Sequence, residues 1–518
     1  MDRCFQSNSF HQDPFRAQLY FPLIEEERHR LLALFLYSRA FRDVSSSLID
    51  NFCSVLGQEL DKLILPVIAS EIHYAREKNE LFGHSSHEKY MSYFVTASAY
   101  TSRFKSLLTR YPQLENMIKS IIKQTFSSLV SALENYEKDY EEIQKQFDIP
   151  ENIELKSIKL LQGADRHCGS IALLFCYANN KKVVYKPSDL RIAHLFYEFC
   201  DHLNLERPYN LKPVRVLPME GYGWVEFIER KECESLIEVQ DFYRRAGSLL
   251  AIADCLNFTD GHCENLIAQA DIPYLIDFET FFQNYEPSVL RSKNLLTTLL
   301  IQKINDEKDP FINSAFQAPP ENTLHHFHTH AIHDQTEDLE IRYNFTDDSV
   351  QTHCPSFNKK YCPSYDYKSF IIEGFCHTFQ VISEQIELLL NKIMWWSKLE
   401  SIKSRIILRG TVSYSYLLRK IQHPEFLFSK ADAENYLFSK LGNTPYTSYE
   451  MDQLFSLNIP YFYHFPGKKN LYDSNQREYT DVFTETGIKQ LQNELLNRSK
   501  EKMEFNCEII KRHLVPLG

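Results

Sequence analysis

Residues 254–282 constrain this chain more tightly than any other stretch. They read Asp-Cys-Leu-Asn-Phe-Thr-Asp-Gly-His-Cys-Glu-Asn-Leu-Ile-Ala-Gln-Ala-Asp-Ile-Pro-Tyr-Leu-Ile-Asp-Phe-Glu-Thr-Phe-Phe. The apolar runs Leu266-Ile267-Ala268 and Tyr274-Leu275-Ile276 predict two short strands around a polar turn at Gln269 to Asp271. Such a hairpin brings Asn265 and Asp277 to its same open end. Asp260 stands five positions before Asn265, and phosphoryl-transfer enzymes of the kinase type need that arithmetic. One Asp accepts the proton of the attacking hydroxyl, while an Asn five positions on and a later Asp bind magnesium. For Asp-x4-Asn alone, a solvated loop with chance acidic residues is the better reading. The strand pair and the second, apolar-flanked Asp turn the balance toward a kinase-like site.

At 518 residues the chain has room for two or three domains or lobes, and 43% hydrophobic with 14% aromatic content fits a large core. Only 14 glycines argue against long flexible linkers. A formal charge of −12 gives no basic footprint for nucleic acid, so a phosphate site must be locally basic within an acidic protein. The 12 cysteines follow no framework spacing, and Cys176, Cys200, Cys255 and Cys376 sit inside apolar runs. Reduced, buried thiols of a cytoplasmic protein account for them better than disulfides. The first residues lack a signal-peptide pattern, and no uncharged apolar run approaches the ~20 residues of a membrane span.

Residues 1–150 read as a helical N-terminal region. Apolar residues recur at helical spacing from Glu25 to Leu65 and from Lys89 to Phe147. Pro112 is placed to open the helix carrying Leu114, Ile118, Ile121, Ile122, Phe126, Leu129 and Leu133. From about Ile153 the period changes. Residues 170–178 and 182–186 predict strands around an Asn-Asn turn, after a glycine-bounded polar loop that holds Asp165 and His167. No Gly-Lys-Ser/Thr follows, so this is not a Walker loop. Lys186 ends the second strand, where kinases place the lysine that holds ATP phosphates, although most strand-end lysines are simply solvated. Residues 214–217 and 223–228 supply further strands, the last leading into a hinge at which Glu226 and Phe227 would meet adenine. A buried helix with Phe242, Ala246, Leu249, Leu250, Ala253 and Leu256 then runs into Asp260. Sheet, hinge, helix, loop and metal hairpin follow the order of a two-lobed kinase.

Residues 283–365 are polar, His-rich and irregular. His325, His326, His328, His330 and His333 invite a zinc reading, as do Cys354 and Cys362, but the tight ligand pairs of zinc sites are missing. An activation-type or substrate loop fits better. Helical periodicity returns over 370–399. Arg405, Arg409 and Thr411 then fall within seven residues, either an anion-binding cluster or surface arginines on a helix. The tail ends in a helix at about 486–513, with Cys507 as its solitary cysteine.

As an ordered set, these motifs resemble a known family. The set comprises Gly163-x-Asp165-x-His167, Val184-Tyr185-Lys186-Pro187, Tyr222 to Ile228, Asp260-x-His262-x-x-Asn265 and Leu275-Ile276-Asp277-Phe278-Glu279. Arg405-x3-Arg409-x-Thr411-x2-Tyr414 and Asn458 to Phe462 continue it. It looks like the dehydratase domain of class II (LanM-type) lanthipeptide synthetases, over roughly residues 90 to 515. The Asp-x-His-x-x-Asn form is also similar to phosphoinositide kinases, whose fold that domain shares.

The resemblance implies an α+β, two-lobed protein/lipid-kinase-like fold. A helical N-terminal region at 1–150 would precede a β-rich N-lobe at 151–230 and a helix-rich C-lobe at 231–518, with an activation-type loop at about 283–365. It also implies a two-step dehydration of Ser or Thr in a leader-bearing precursor peptide, with ATP and Mg2+ as cofactors. ATP phosphorylates the hydroxyl, and elimination of phosphate then leaves dehydroalanine or dehydrobutyrine. By motif, Lys186 contacts ATP phosphate and later the leaving phosphate. Asp260 orients or deprotonates the hydroxyl with His262 beside it, and Asn265 and Asp277 bind magnesium with Glu279 in support. Asp165, His167, Arg405 and Thr411 match residues of the elimination step. The usual synthetase continues into a zinc-dependent cyclase, and this chain stops at Gly518, so a separate cyclase is the expected partner. The alternatives are a kinase of the same fold that phosphorylates a protein, lipid or small molecule without elimination, and a catalytically degenerate binding module.

Overall fold

The computed structural model describes residues 13–35, 41, 44–95, 99–151, 153–161, 169–285, 293–303, 314–317, 326–346 and 352–515. Asp165, His167 and His325 lie outside the described residues. Helix and sheet are mixed, in two compact units interleaved along the chain. The first takes residues 1–187, 327–344 and 409–460, and the second takes 188–326, 345–408 and 461–518.

Among the described residues the first unit opens with six helices, Pro14–Phe35, Ser45–Glu77, Ser86–Val95, Ala99–Arg110, Pro112–Lys138 and Tyr140–Gln146. Pro112 stands in the first turn of its helix, where its missing N–H would have had no partner anyway. Leu114, Ile118, Ile121, Leu129 and Leu133 are buried along that helix, while Ile122 and Phe126 are half-buried. Strands Leu155–Leu160, Leu173–Tyr177 and Lys182–Lys186 follow as an antiparallel meander. Asn180 takes the left-handed conformation its turn demands.

The His-rich stretch differs from its reading as irregular chain. His326–Ile332 and Glu340–Thr346 form a two-stranded sheet. Its alternate histidines keep the period of two that a strand needs, with little of the apolar content that usually announces one. Charge grips the tip. Arg16, whose side chain is 3% exposed, reaches Asp334 at 2.5 Å and Asp61 at 3.2 Å. Lys89 meets Glu337 at 2.8 Å, and Arg76 meets Asp338 at 2.5 Å.

In the second unit, the helix Leu236–Cys255 starts under the Ser235 hydroxyl, which accepts the Glu238 N–H at 3.2 Å. It runs against Lys368–Glu384 so closely that the backbones touch. A methyl group on Gly247 would lie 2.0 Å from the Ile371 oxygen, and one on Gly374 would lie 1.9 Å from the Arg244 oxygen. Phe196, Phe242, Leu249, Leu266, Phe281 and Phe375 belong to the core that surrounds this helix pair. A four-stranded antiparallel sheet orders Ser404–Ile406, Phe462–His464, Leu471–Asp473 and Glu478–Tyr479. No helix among the described residues is long and apolar enough to cross a membrane.

Candidate active site

The Leu236–Cys255 helix delivers the chain to Asp260, and a hairpin follows at once. Leu266–Gln269 pairs antiparallel with Ile272–Leu275, Leu266 opposite Leu275 and Gln269 opposite Ile272. Ala270 turns the corner in the left-handed conformation, φ 52°. Arg245, 1% exposed, fixes that corner from the helix, donating to the Asp271 carbonyl at 3.0 Å and to its carboxylate at 2.9 Å. At the other end the Ile276 N–H donates to the Asn265 carbonyl at 2.9 Å. Asn265 and Asp277 therefore share the open end, as the two apolar runs around a polar turn predict.

Asp260 itself is left-handed, φ 72°. Its carbonyl accepts the His262 N–H at 2.9 Å and the Asn265 side-chain nitrogen at 2.9 Å. Asn265 Nδ2 also stands 3.1 Å from His262 Nε2. The other ring nitrogen of His262, Nδ1, is buried and has no hydrogen-bond partner. Neighbouring chain holds this loop in place. The Gly261 N–H donates to the Thr298 carbonyl at 2.9 Å, and a Cβ at Gly261 would lie 2.6 Å from that same oxygen.

Beyond Asp277, the chain is laced on two sides. The Phe282 N–H donates to Leu256 O at 2.9 Å and the Gln283 N–H to Asn257 O at 3.0 Å. From the four-stranded sheet, the Ser404 hydroxyl donates to Phe281 O at 2.5 Å and His464 Nε2 to Phe282 O at 3.0 Å. Arg405, 5% exposed, ends on Glu279, Nη1 to Oε1 at 2.5 Å, with its guanidinium 5.7 Å from the centre of the Tyr461 ring.

Burial raises the Asp260 carboxyl above the ordinary carboxylate range; His262 and Arg405 oppose the shift, and the Asp277 and Glu279 carboxylates add to it. For Arg405, burial works against the charge, but Glu279 and Asp260 outweigh it and hold the guanidinium protonated. Burial, helped by Glu279, likewise keeps the Tyr461 phenol protonated. Asp260, His262, Asn265, Asp277, Glu279 and Arg405 thus share one cluster.

The donor set suits magnesium. Asn265 directs its amide nitrogen at Asp260 O and His262, which leaves its oxygen to ligate, and Asp277 and Glu279 add hard carboxylate oxygens. Among the described residues no group of three or more His, Cys, Asp or Glu side chains could hold a metal alone. Magnesium asks for less, one or two carboxylates with substrate phosphates and water.

Glu226 accepts the Arg215 backbone N–H at 2.8 Å and Nε at 3.0 Å, while Phe227 is 37% exposed. Lys186 ends its strand and Thr411 opens the helix Thr411–Ile421, both half-buried in the first unit. Arg409 and Tyr414 converge on the buried Glu450 carboxylate at 2.8 and 2.6 Å. Each arginine of the expected anion cluster is therefore engaged by a carboxylate of its own. Arg245, Tyr461 and His464 had no assigned role in the sequence. A buried arginine inside an apolar helical stripe was the one local signal for any of them.

A family model described as a domain of unknown function, DUF4135, matches residues 111–464, more than half of the chain. The chain belongs to the DUF4135 family. This family member is also 29% identical over 423 residues to a lacticin 481/lactococcin biosynthesis protein of Lactococcus lactis subsp. lactis, a match covering 76% of this chain. The match covers 45% of that relative's length, so the chain spans less than half of it. Both findings bear out the resemblance to LanM-type lanthipeptide synthetases.

Proposed function

We propose that this DUF4135 protein is a lanthipeptide-type dehydratase with a kinase-like, two-lobed organisation, its N-lobe at 151–230 and its C-lobe at 231–518. It phosphorylates Ser and Thr of a leader-bearing precursor peptide with ATP, then eliminates the phosphate to give dehydroalanine or dehydrobutyrine. The cytoplasm is its place. One observation carries the reading. The Asp260 loop and the Asp277–Glu279 segment meet beside Arg405, so a proton acceptor, oxygen ligands and a fixed cation stand together. The biosynthetic relative supports it.

In this reading Asp260 receives the hydroxyl proton. A carboxyl raised by burial is a better base than a solvated one, because its pKa lies nearer the working pH. Asn265, Asp277 and Glu279 would hold Mg2+, which when bound neutralises charge on the phosphoryl oxygens. Lys186 contacts phosphate, and Glu226 and Phe227 form the adenine hinge. In the second step a base takes the α-proton, the Cα–Cβ double bond forms, and the Cβ–O bond breaks with its electron pair leaving on phosphate. Asp165, His167, Arg405 and Thr411 serve that step, in which cations stabilise the departing charge.

A kinase without elimination is the second reading, and the Arg405–Glu279 contact favours it, because that guanidinium already has an anion. Incubation of a Ser/Thr-rich precursor peptide with the protein, ATP and Mg2+, followed by mass analysis, separates the two. The dehydratase yields peptide lighter by one water per modified residue, and Arg405→Ala or Thr411→Ala accumulates peptide heavier by phosphate. Wild type that stops at the phosphopeptide is a kinase. If ATP binding is absent, or indifferent to Asp277→Ala and to chelation, the protein is a binding module and this reading is wrong.

A further inference from the structure

The dehydratase reading uses none of the cysteines, and two of them meet. In the second unit, Cys376 on the helix Lys368–Glu384 and Cys507 on the helix Lys500–His513 bring their sulfur atoms to 3.1 Å. Cys507 has no cysteine near it in sequence, and the helix crossing supplies one. The two sulfurs differ in access. Cys507 is 8% exposed, whereas Cys376 is half-buried. They differ in charge as well. The sulfur–sulfur hydrogen bond, with Lys511 nearby, lowers the Cys376 thiol, while the same contact and burial raise that of Cys507. Cys200, Cys255 and Cys354 show the contrary case, buried thiols pushed up by their apolar surroundings.

We propose that Cys376 and Cys507 form a peroxide-sensitive dithiol, Cys376 the oxidised sulfur and Cys507 the resolving one, which closes to a disulfide between the two helices. The Cys376 thiolate attacks hydrogen peroxide, the O–O bond breaks, and a sulfenic acid forms as hydroxide leaves and is protonated. The Cys507 sulfur then displaces the sulfenic oxygen, the S–S bond forms, and a second water departs with the Cys507 proton. Two thiols and one peroxide become one disulfide and two waters. A dithiol reductant returns the pair by thiol–disulfide exchange. The closed form ties the Lys500–His513 helix to Lys368–Glu384, the helix in backbone contact with the one that leads to Asp260.

The test uses the full chain. It is treated with hydrogen peroxide, quenched with catalase, alkylated and digested without reductant, with and without prior dithiothreitol. The expected result is one dominant cross-linked peptide joining Cys376 to Cys507, with two of the 12 cysteines lost to alkylation and both regained after dithiothreitol. Cys507→Ser should trap the sulfenic acid, captured by dimedone at Cys376, and Cys376→Ser should leave Cys507 fully alkylated. Equal alkylation of both sulfurs before and after peroxide overturns the proposal, as does a dominant disulfide through any other cysteine. Circular dichroism checks that the variants fold, and if one does not, the wild-type map alone decides.

Discussion

Arg405 holds Glu279 twice: its backbone N–H donates to the Glu279 carbonyl at 2.7 Å, and its Nη1 reaches Oε1 at 2.5 Å. The first contact fixes the Ser404–Ile406 strand against the segment that carries Asp277. The second puts a cation among the carboxylates around Asp260. The two side chains are 6% and 15% exposed, so neither charge can fall back on water if the other is removed.

Arg405→Met should therefore destabilise the protein by about 3–5 kcal/mol, the cost of leaving a buried carboxylate without its partner. The double variant Arg405→Met/Glu279→Gln should recover most of that loss. Urea unfolding measures both. Equal losses in the single and double variants would show that the charge pair is not what the site depends on.

His464 gives a pH signature. It is fully buried, donates Nε2–H to Phe282 O at 3.0 Å, and burial lowers its imidazole from 6.5 to about 4. The unfolded chain therefore takes up the proton first. This contribution is whole above pH 6.5 and is lost as pH falls toward 4, amounting to about 3 kcal/mol. His464→Gln keeps a donor but not the titration. Its stability relative to wild type should rise across that window, and a constant difference from pH 7 to pH 4 would count against the assignment.

The hairpin was legible in the sequence because every signal for it is local: two apolar runs, a polar corner, and an Asn or Asp at each outer end. The contact that completes the cluster is not local. Arg405 and Glu279 stand 126 positions apart, and the sheet that joins them uses strands of two or three residues, too short for any period to show. Cys376 and Cys507, 131 positions apart, meet through a helix crossing that no spacing encodes. The strand at His326–Ile332 was hidden for another reason, since its period was present but carried largely by histidine.

Gly374→Ala tests how the site is launched. The added methyl would lie 1.9 Å from the Arg244 oxygen, a backbone atom that cannot rotate away, so the helices must part. Overpacking of this kind costs about 1–3 kcal/mol, and more where backbone has to move. A melting temperature unchanged from wild type would mean that the crossing tolerates separation.

Asp260→Asn should separate stability from activity. Asp260 is left-handed, and burial, with Asp277 and Glu279 nearby, raises its carboxyl above the unfolded value of 3.8. A group shifted that way favours the folded state fully below pH 3.8 and ceases to do so as pH rises through its folded value, so at pH 7 the ionised side chain is a burden. Asparagine keeps the shape and tolerates the left-handed backbone without the charge. The variant should be more stable than wild type at pH 7, by a margin that shrinks as pH approaches 3.8. Because the side chain keeps 24% of its surface in water, the margin is small. Phosphorylation should meanwhile fall by roughly 10²–10⁴-fold, the scale set by losing a general base. Denaturant curves at two pH values and a phosphopeptide assay measure both. A variant that is less stable at pH 7, or that phosphorylates at the wild-type rate, would remove Asp260 from the role assigned to it.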